Sequence, residues 1–179
     1  GARTLLVPMV DSAAQAEALV SAMHYPPRGI RGMGAAVARA SAFNTITDYA
    51  DSASDSVCLL VQAETRAAIN DLDNILAVEG VDGVFIGPAD LSASMGFVGQ
   101  PNHPDVQAAI SDGIARIRRA GKAAGILSTT QEQADKWLAA GAQFVAVGID
   151  TSLLTNAAKA LRARFAGAAA AAAPGSSGY

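Results

Sequence analysis

The sequence predicts an α/β fold built on a parallel sheet, and three observations support this prediction. Apolar runs of strand length recur along the chain, and stretches with helical periodicity separate them. The runs are continuous rather than alternating, which is typical of strands buried on both faces. A helix follows each run, and such crossovers make neighbouring strands parallel. Five strand–helix units are compatible with an open doubly wound sheet or with part of an eight-unit barrel of about 250 residues.

The first unit occupies the beginning of the chain. Residues 4–10 form an apolar run in which Pro8 lies near the end, where a strand tolerates proline. Asp11 or Ser12 can cap a helix that continues to Met23. Residues 25–34 contain two prolines and three glycines and are predicted to form a shaped loop. We expect a short helix over 35–40 and irregular structure up to residue 56.

Segments 57–66 and 83–92 form the central unit of the chain. Each is an apolar run that stops at a carboxylate, Glu64 in the first and Asp90 in the second. Apolar residues at helical spacing in 67–79 predict a helix between them. The crossover makes the two strands parallel, so both carboxylates are expected at the C-terminal edge of one sheet.

The remaining units follow the same alternation. A helix is predicted from the Asn102-His103-Pro104 segment to Ala120, with Gly121 ending it. Further strands are predicted at 122–127 and 144–148, and further helices at 131–140 and 151–165. The final residues, 167–179, are rich in Ala, Gly and Ser and are predicted to be a tail.

Glu64 and Asp90 are the candidate metal ligands. Neighbouring strands lie about 4.8 Å apart, and two carboxylates that close repel each other unless a cation lies between them. A divalent cation with oxygen ligands suits such a pair. Gln62 is expected to point to the same face as Glu64 from an otherwise apolar run. The alternative is structural: Glu64 favours the start of the next helix, and Asp90 caps residues 91–95.

Composition excludes several classes of function. A net charge of −3 leaves no basic face for a nucleic-acid backbone. Cys58 is the only cysteine, so no disulfide can form within the chain, and a reducing compartment such as the cytoplasm is expected. No apolar stretch approaches the roughly 20 residues that span a bilayer, so no membrane partner is expected.

Two motifs resemble the class II, metal-dependent pyruvate aldolases, the family of 4-hydroxy-2-oxoheptanedioate aldolase. They are LLVQAETRAA at 59–68 and VEGVDGVFIGPADLSASMG at 78–96. The resemblance extends over nearly the whole chain. It implies a partial (β/α)8 TIM barrel over residues 1–166, comprising strands 4 to 8 with their helices, so that three strands would precede Gly1.

The resemblance also implies the chemistry of the site. It assigns Glu64 and Asp90 as ligands of Mg²⁺, Mn²⁺ or Co²⁺, and Gln62 as a neighbour of the bound keto acid. Ala89, with the backbone N–H groups of Ala89 and Asp90, corresponds to the cradle for the pyruvate carboxylate. The implied reaction is reversible cleavage of a 4-hydroxy-2-oxo acid into pyruvate and an aldehyde through a metal-stabilised enolate.

Leu127 and Met33 resemble apolar positions that line the aldehyde pocket of such enzymes. The catalytic histidine and arginine of the family would precede Gly1, and neither His24 nor His103 corresponds to that histidine. No catalytic residue is therefore assigned within the chain, and we expect no turnover from the 179 residues alone.

The implied partners are small molecules and further copies of the chain. Family members are homo-oligomers that exchange a C-terminal helix, here residues 151–165, and the resemblance places the protein in the catabolism of aromatic compounds. Two other readings stay open. One is a carbon–carbon lyase of the citrate-lyase β-subunit or malyl-CoA type, and the other is a non-catalytic half-barrel that binds a partner.

Overall fold

Five strands form a single parallel sheet in the computed structural model, which describes residues 1–171, with side chains up to residue 166. The strands are β1 (Thr4–Val7), β2 (Cys58–Ala63), β3 (Gly83–Ile86), β4 (Ala123–Leu127) and β5 (Phe144–Ala146). All five lie within the predicted runs. The ladder of β1 ends before Pro8, which has no N–H to donate.

Helices connect consecutive strands, as the alternating pattern predicts. They are α1 (Ala13–Met23), α2 (Tyr49–Ser52), α3 (Arg66–Asn70), α4 (Leu72–Ala77), α5 (Pro88–Ser94), α6 (Pro104–Arg119), α7 (Gln131–Ala139) and α8 (Asp150–Ala171). Short 3₁₀ turns occupy Gly34–Val37, Arg39–Ser41 and Ala53–Ser56.

The order of the strands in the sheet decides between the two predicted architectures. The order is β1-β2-β3-β4-β5, so every strand lies beside its neighbour in sequence. A doubly wound sheet reverses its direction at a switch point, and this sheet has none. Right-handed crossovers in one direction place the helices on one face and curl the sheet. The fold is a curled half-barrel, which confirms the predicted partial TIM barrel.

The core lies between the outer face of the sheet and the helices. Alternate strand residues such as Val61 and Ile86 are fully buried there, together with Ile114 of α6. A Cβ on Gly113 of α6 would lie 2.9 Å from Ile86 Cδ1, so α6 packs closely against β3. The opposite, concave face carries the other residues of each strand, including Gln62.

Two predicted helices differ from those observed. The helix expected over 67–79 is divided into α3 and α4 at Asp71, whose carboxylate accepts hydrogen bonds from Ala13 N at 2.9 Å and Asn74 Nδ2 at 2.6 Å. The helix expected over 35–40 is replaced by 3₁₀ turns. The first difference arises from the contact with Ala13, 58 residues away in sequence, which local periodicity does not encode.

Helix α8 is longer than predicted and has an unusual surface. It continues through residues 167–171 of the predicted tail, and residues 172–179 lie outside the described part of the chain. Every side chain from residue 150 to 166 is exposed, including those of Leu154, Leu161 and Phe165. Within the described residues, no helix is long and apolar enough to cross a membrane.

The long connection between α1 and β2 covers the N-terminal edge of the sheet. His24 is 5% exposed there, and its Nδ1 lies 3.0 Å from Ser54 Oγ. Arg31 stacks on the ring of Tyr25, with its guanidinium carbon 4.5 Å from the ring centroid. The buried imidazole therefore joins the beginning of this connection to its end.

Burial, and then the charge of Arg28, lowers the pKa of His24 from its usual value of 6.5. Protonation of His24 therefore favours the unfolded chain. The contribution of His24 to the free energy of unfolding should be constant above pH 6.5 and should fall as the pH drops below that value. We expect the melting temperature to fall less between about pH 7 and pH 5 in His24→Gln than in the unmodified protein. Identical profiles for His24→Gln and the unmodified protein would contradict this role.

Candidate active site

The carboxylates predicted as ligands follow adjacent strands at the C-terminal edge of the sheet. Ala63, the last residue of β2, pairs with Ile86, the last residue of β3. Glu64 is therefore aligned with Gly87, and Asp90 lies three residues further along, in the first turn of α5. Arg66 N donates to Ser94 Oγ at 3.0 Å, which ties together the segments that follow the two strands.

Glu64 is buried, with 4% of its surface exposed, and both of its carboxylate oxygens accept a hydrogen bond. Met9 N donates to Oε1 at 2.9 Å from the end of β1. Gln62 Nε2 donates to Oε2 at 2.8 Å from the same strand as Glu64. A buried carboxylate held by two donors has a fixed direction, which is a property expected of a ligand.

Gly87 provides the space that the Glu64 carboxylate occupies. A Cβ at this position would lie 2.3 Å from Glu64 Oε2 and 3.0 Å from Glu64 Cβ, so any side chain there would displace the carboxylate. Pro88 follows as the first residue of α5, and Asp90 is exposed in the same turn. One carboxylate is thus fixed and buried, and the other is accessible.

Ala89 and Leu127 line one cleft of about 70 Å³, which includes Pro88 and Ala89, the residues directly before Asp90, but neither Glu64 nor Asp90. The cleft lies between the ends of β3 and β4 and the first turns of α6 and α7. Its apolar wall includes Trp137, and its polar groups include Gln107 and Gln133. The structure therefore brings together Gln62, Glu64, Ala89, Asp90 and Leu127 at one edge.

Met33 lies at the opposite edge. Before Met33 in sequence, Arg31 lines a pocket with Ala2 and Val57, which lie next to the beginnings of β1 and β2. After Met33, Ala40 lies beside Gly1. The Met33 side chain is 56% exposed. Within one chain, Met33 does not share the cleft of Leu127.

The donor set fits a divalent cation that retains several exchangeable positions. Among the described residues, no three or more His, Cys, Asp and Glu side chains form a group that could hold a metal ion by themselves. Two carboxylates would leave the other positions to water and substrate, and Mg²⁺ is commonly bound through one or two carboxylates. The accessible Asp90 and the fixed Glu64 are suited to this arrangement.

Two of the three lysines, Lys122 and Lys136, form contacts away from the two carboxylates. Burial lowers the pKa of Lys122, whose ammonium donates to the carbonyl of Val78 at 3.0 Å and to that of Val81, at the N-terminal edge of the sheet. Lys136 Nζ donates to Gln107 Oε1 at 2.6 Å and lies over the ring of Trp137. Neither ammonium group is directed to the two carboxylates.

Three features of this edge were not predicted. Thr65 Oγ1 donates to Asp11 at 2.5 Å and accepts from Ala68 N, so Asp11 supports the start of α3 instead of capping α1. The signal for Asp11 was available, since it also follows an apolar run. The glycine at position 87, directly before Pro88, was a weaker signal. Nothing in the local sequence indicates that the amide of Met9 reaches Glu64.

A family model described as HpcH/HpaI aldolase/citrate lyase matches residues 1–157. The chain belongs to this family. The match confirms the resemblance inferred from the two motifs around Glu64 and Asp90.

Relatives within the HpcH/HpaI family are similar over almost the whole chain. The hydroxypyruvate/pyruvate aldolase of Agrobacterium fabrum is 70% identical over 179 residues, which are 100% of this chain and 67% of the relative. The 4-hydroxy-2-oxo-heptane-1,7-dioate aldolase of Shigella sonnei is 59% identical over 98% of this chain and 67% of its own length.

A solved structure agrees with the fold. The crystal structure of an HpcH/HpaI aldolase/citrate lyase family protein from Burkholderia cenocepacia J2315 superposes with a TM-score of 0.88 at 34% identity. The superposition covers 92% of this chain and 65% of that one. The chain thus spans about two thirds of the length of these HpcH/HpaI family members.

Proposed function

We propose that residues 1–166 form the C-terminal part of a (β/α)8 barrel whose complete protein is a metal-dependent aldolase. The reaction is reversible cleavage of a 4-hydroxy-2-oxo acid, such as 4-hydroxy-2-oxoheptanedioate, into pyruvate and an aldehyde. The observation that carries the proposal is the pair of carboxylates at adjacent strand ends, with Glu64 fixed by two donors beside Gly87.

Glu64 and Asp90 would hold the cation, and Ala89 and Leu127 would bind the substrate. When bound, Mg²⁺, Mn²⁺ or Co²⁺ would act as a Lewis acid that stabilises the negative charge developing on the keto oxygen as the enolate forms. The N–H groups of Ala89 and Asp90 lie in the first turn of α5, where backbone donors lack helical partners and can bind the pyruvate carboxylate. Ala89 has a small side chain that permits this approach.

Gln62 and Leu127 would contribute to the same site from β2 and β4, the strands on either side of β3. Gln62 lies beside Glu64 and next to the proposed position of the keto acid. Leu127 lines the cleft next to Ala89, where the aldehyde would leave. Met33 would reach an aldehyde pocket only through another copy of the chain, because it lies at the opposite edge of its own sheet.

The cleft favours an aldolase over a lyase that acts on CoA esters. The residues lining it are Pro88, Ala89, Pro101, Asn102, Gln107, Leu127, Thr129, Gln133 and Trp137. Among the described residues, no Arg or Lys is one of these lining residues. Lys136, which contacts Gln107 and Trp137, already donates to Gln107 Oε1. The lyase of citrate-lyase β-subunit or malyl-CoA type is therefore the second candidate.

Helix α8 supports assembly into a homo-oligomer. Its exposed apolar side chains, including Leu153, Leu154 and Leu161, are unlike those of a helix that functions alone in water. Exchange of α8 between copies would bury them. Cytoplasmic location and a role in the catabolism of aromatic compounds belong to the same proposal.

An assay of the complete protein with 4-hydroxy-2-oxoheptanedioate tests the proposed reaction. We expect pyruvate release that requires Mg²⁺, Mn²⁺ or Co²⁺ and that stops on chelation with EDTA, because among the described residues neither Lys122 nor Lys136 is directed to the two carboxylates. The 179-residue chain alone should show no turnover. Acyl-CoA substrates are the comparison.

Two results would contradict the proposal. Turnover that persists in EDTA, together with a covalent enzyme–substrate adduct after borohydride reduction, would indicate a Schiff base. Turnover of malyl-CoA in preference to the 4-hydroxy-2-oxo acid would favour the second candidate.

A further inference from the structure

The main chain at Met9 adopts a conformation that side-chain-bearing residues rarely adopt. Its φ is 56°, in the left-handed region, directly after Pro8 at the end of β1. The Met9 side chain is 53% exposed, so packing of that side chain does not explain the conformation. Backbone strain of this kind destabilises the fold and persists only where surrounding contacts determine it.

The contact that accompanies this conformation is the hydrogen bond from Met9 N to Glu64. The donor and the carboxylate are 55 residues apart in sequence, and the N–O distance is 2.9 Å. The next residue, Val10, returns to the sheet, because its N–H donates to Gln62 O at 3.1 Å and its side chain is 2% exposed. The Met9 N–H thus points to the Glu64 carboxylate, and the hydrogen bond to β2 is restored at the next residue, Val10.

The second oxygen of Glu64 is held from the other side. Gln62 Nε2 donates to Oε2 at 2.8 Å, and the missing side chain of Gly87 leaves room for that oxygen. Each carboxylate oxygen therefore has one protein donor and retains lone-pair capacity for another partner. Groups that orient a metal ligand in this way typically change metal affinity by about 10- to 100-fold when they are removed.

We propose that the Met9 main-chain amide, together with the Gln62 side-chain amide, positions Glu64 for metal binding. Met9 is a positioning residue, and its contribution comes from its N–H and its left-handed conformation rather than from its side chain. This inference rests on the proposed metal-binding role of Glu64. It adds β1 to the strands that build the site and gives a reason for the strain at its end.

The test removes a single N–H group from the complete protein. Incorporating the α-hydroxy analogue of methionine at position 9 replaces the amide by an ester and keeps the side chain. We expect Mn²⁺ affinity, measured by calorimetry without substrate, to fall about tenfold. The matched control is the equivalent ester at Val10, whose N–H donates to a backbone carbonyl instead of a carboxylate, and it should leave the affinity unchanged.

Two side-chain variants separate the amide from the rest of the residue. Met9→Gly keeps the N–H and permits a positive φ without strain, so its Mn²⁺ affinity should fall less than that of the Met9 ester. Gln62→Met removes the other donor and should weaken Mn²⁺ binding about tenfold. Thermal unfolding of each protein checks that the fold is retained.

The outcomes distinguish this inference from the proposed function. Unchanged Mn²⁺ affinity in the Met9 ester would overturn the positioning role, and so would an equal loss of affinity in the Val10 ester. In both cases a loss of binding in Glu64→Ala would leave the proposed metal site itself intact. A loss in Met9→Gly as large as in the ester would assign the effect to the side chain and would also overturn it. Unchanged binding in Glu64→Ala would remove the proposed metal site itself, and this inference with it.

Discussion

Replacing Glu64 by alanine is expected to weaken Mn²⁺ binding to the complete protein by at least about 100-fold, because one protein carboxylate would then remain. Asp90→Ala should have a similar effect, since the two acids provide the proposed protein ligands. Calorimetric titration without substrate measures both. The fold should survive in Asp90→Ala, since this side chain is exposed in the first turn of α5.

Matched controls exist at the same edge of the sheet. Glu132 and Asp105 are exposed acids in the first turns of α7 and α6, and their alanine variants should bind Mn²⁺ as the unmodified protein does. An equal loss in these controls would indicate a diffuse effect of charge. Undiminished affinity in both Glu64→Ala and Asp90→Ala would refute the metal assignment.

Gly87→Ala is expected to impair both stability and metal binding, although it adds a single methyl group. The new Cβ would lie 2.3 Å from Glu64 Oε2, so the carboxylate must leave its position and its two donors. Overpacking a well-packed site typically costs about 1–3 kcal/mol, and denaturant unfolding should show a loss of that size. Mn²⁺ affinity should fall with it.

Gly32→Ala is the control for Gly87→Ala. A Cβ on Gly32 would meet no atom within 4 Å, so this variant should keep both properties. Retention of Mn²⁺ affinity in Gly87→Ala would show that Glu64 does not need its observed position. Affinity and stability are measured separately, so each of the two predictions for Gly87→Ala can be contradicted independently of the other.

Much of the fold could be predicted because it depends on local patterns. Continuous apolar runs identify buried strands whatever their neighbours are, and helical periodicity identifies α6 and α7 in the same way. The division of the 67–79 helix could not be predicted, because it occurs at Asp71, which accepts a hydrogen bond from Ala13. The order of the strands also required the structure, since local periodicity is the same in both architectures.

The candidate site, like the fold, could be predicted only where it depends on local patterns. Glu64 and Asp90 could be predicted because parallel strands bring their C-terminal ends to one edge. Gln62 was predicted to point to the same face as Glu64, but neither its hydrogen bond to Glu64 nor that of Met9, 55 residues away, was predicted. Met33 was assigned by resemblance alone, and its position at the opposite edge depends on a long connection without regular periodicity.

Anomalous diffraction from Mn²⁺ bound to crystals of the complete protein tests the central claim most directly. We expect one strong peak within about 2.0–2.3 Å of carboxylate oxygens from both Glu64 and Asp90. A Mn²⁺ peak bound by neither residue, with the two side chains directed away from each other, would contradict the claim.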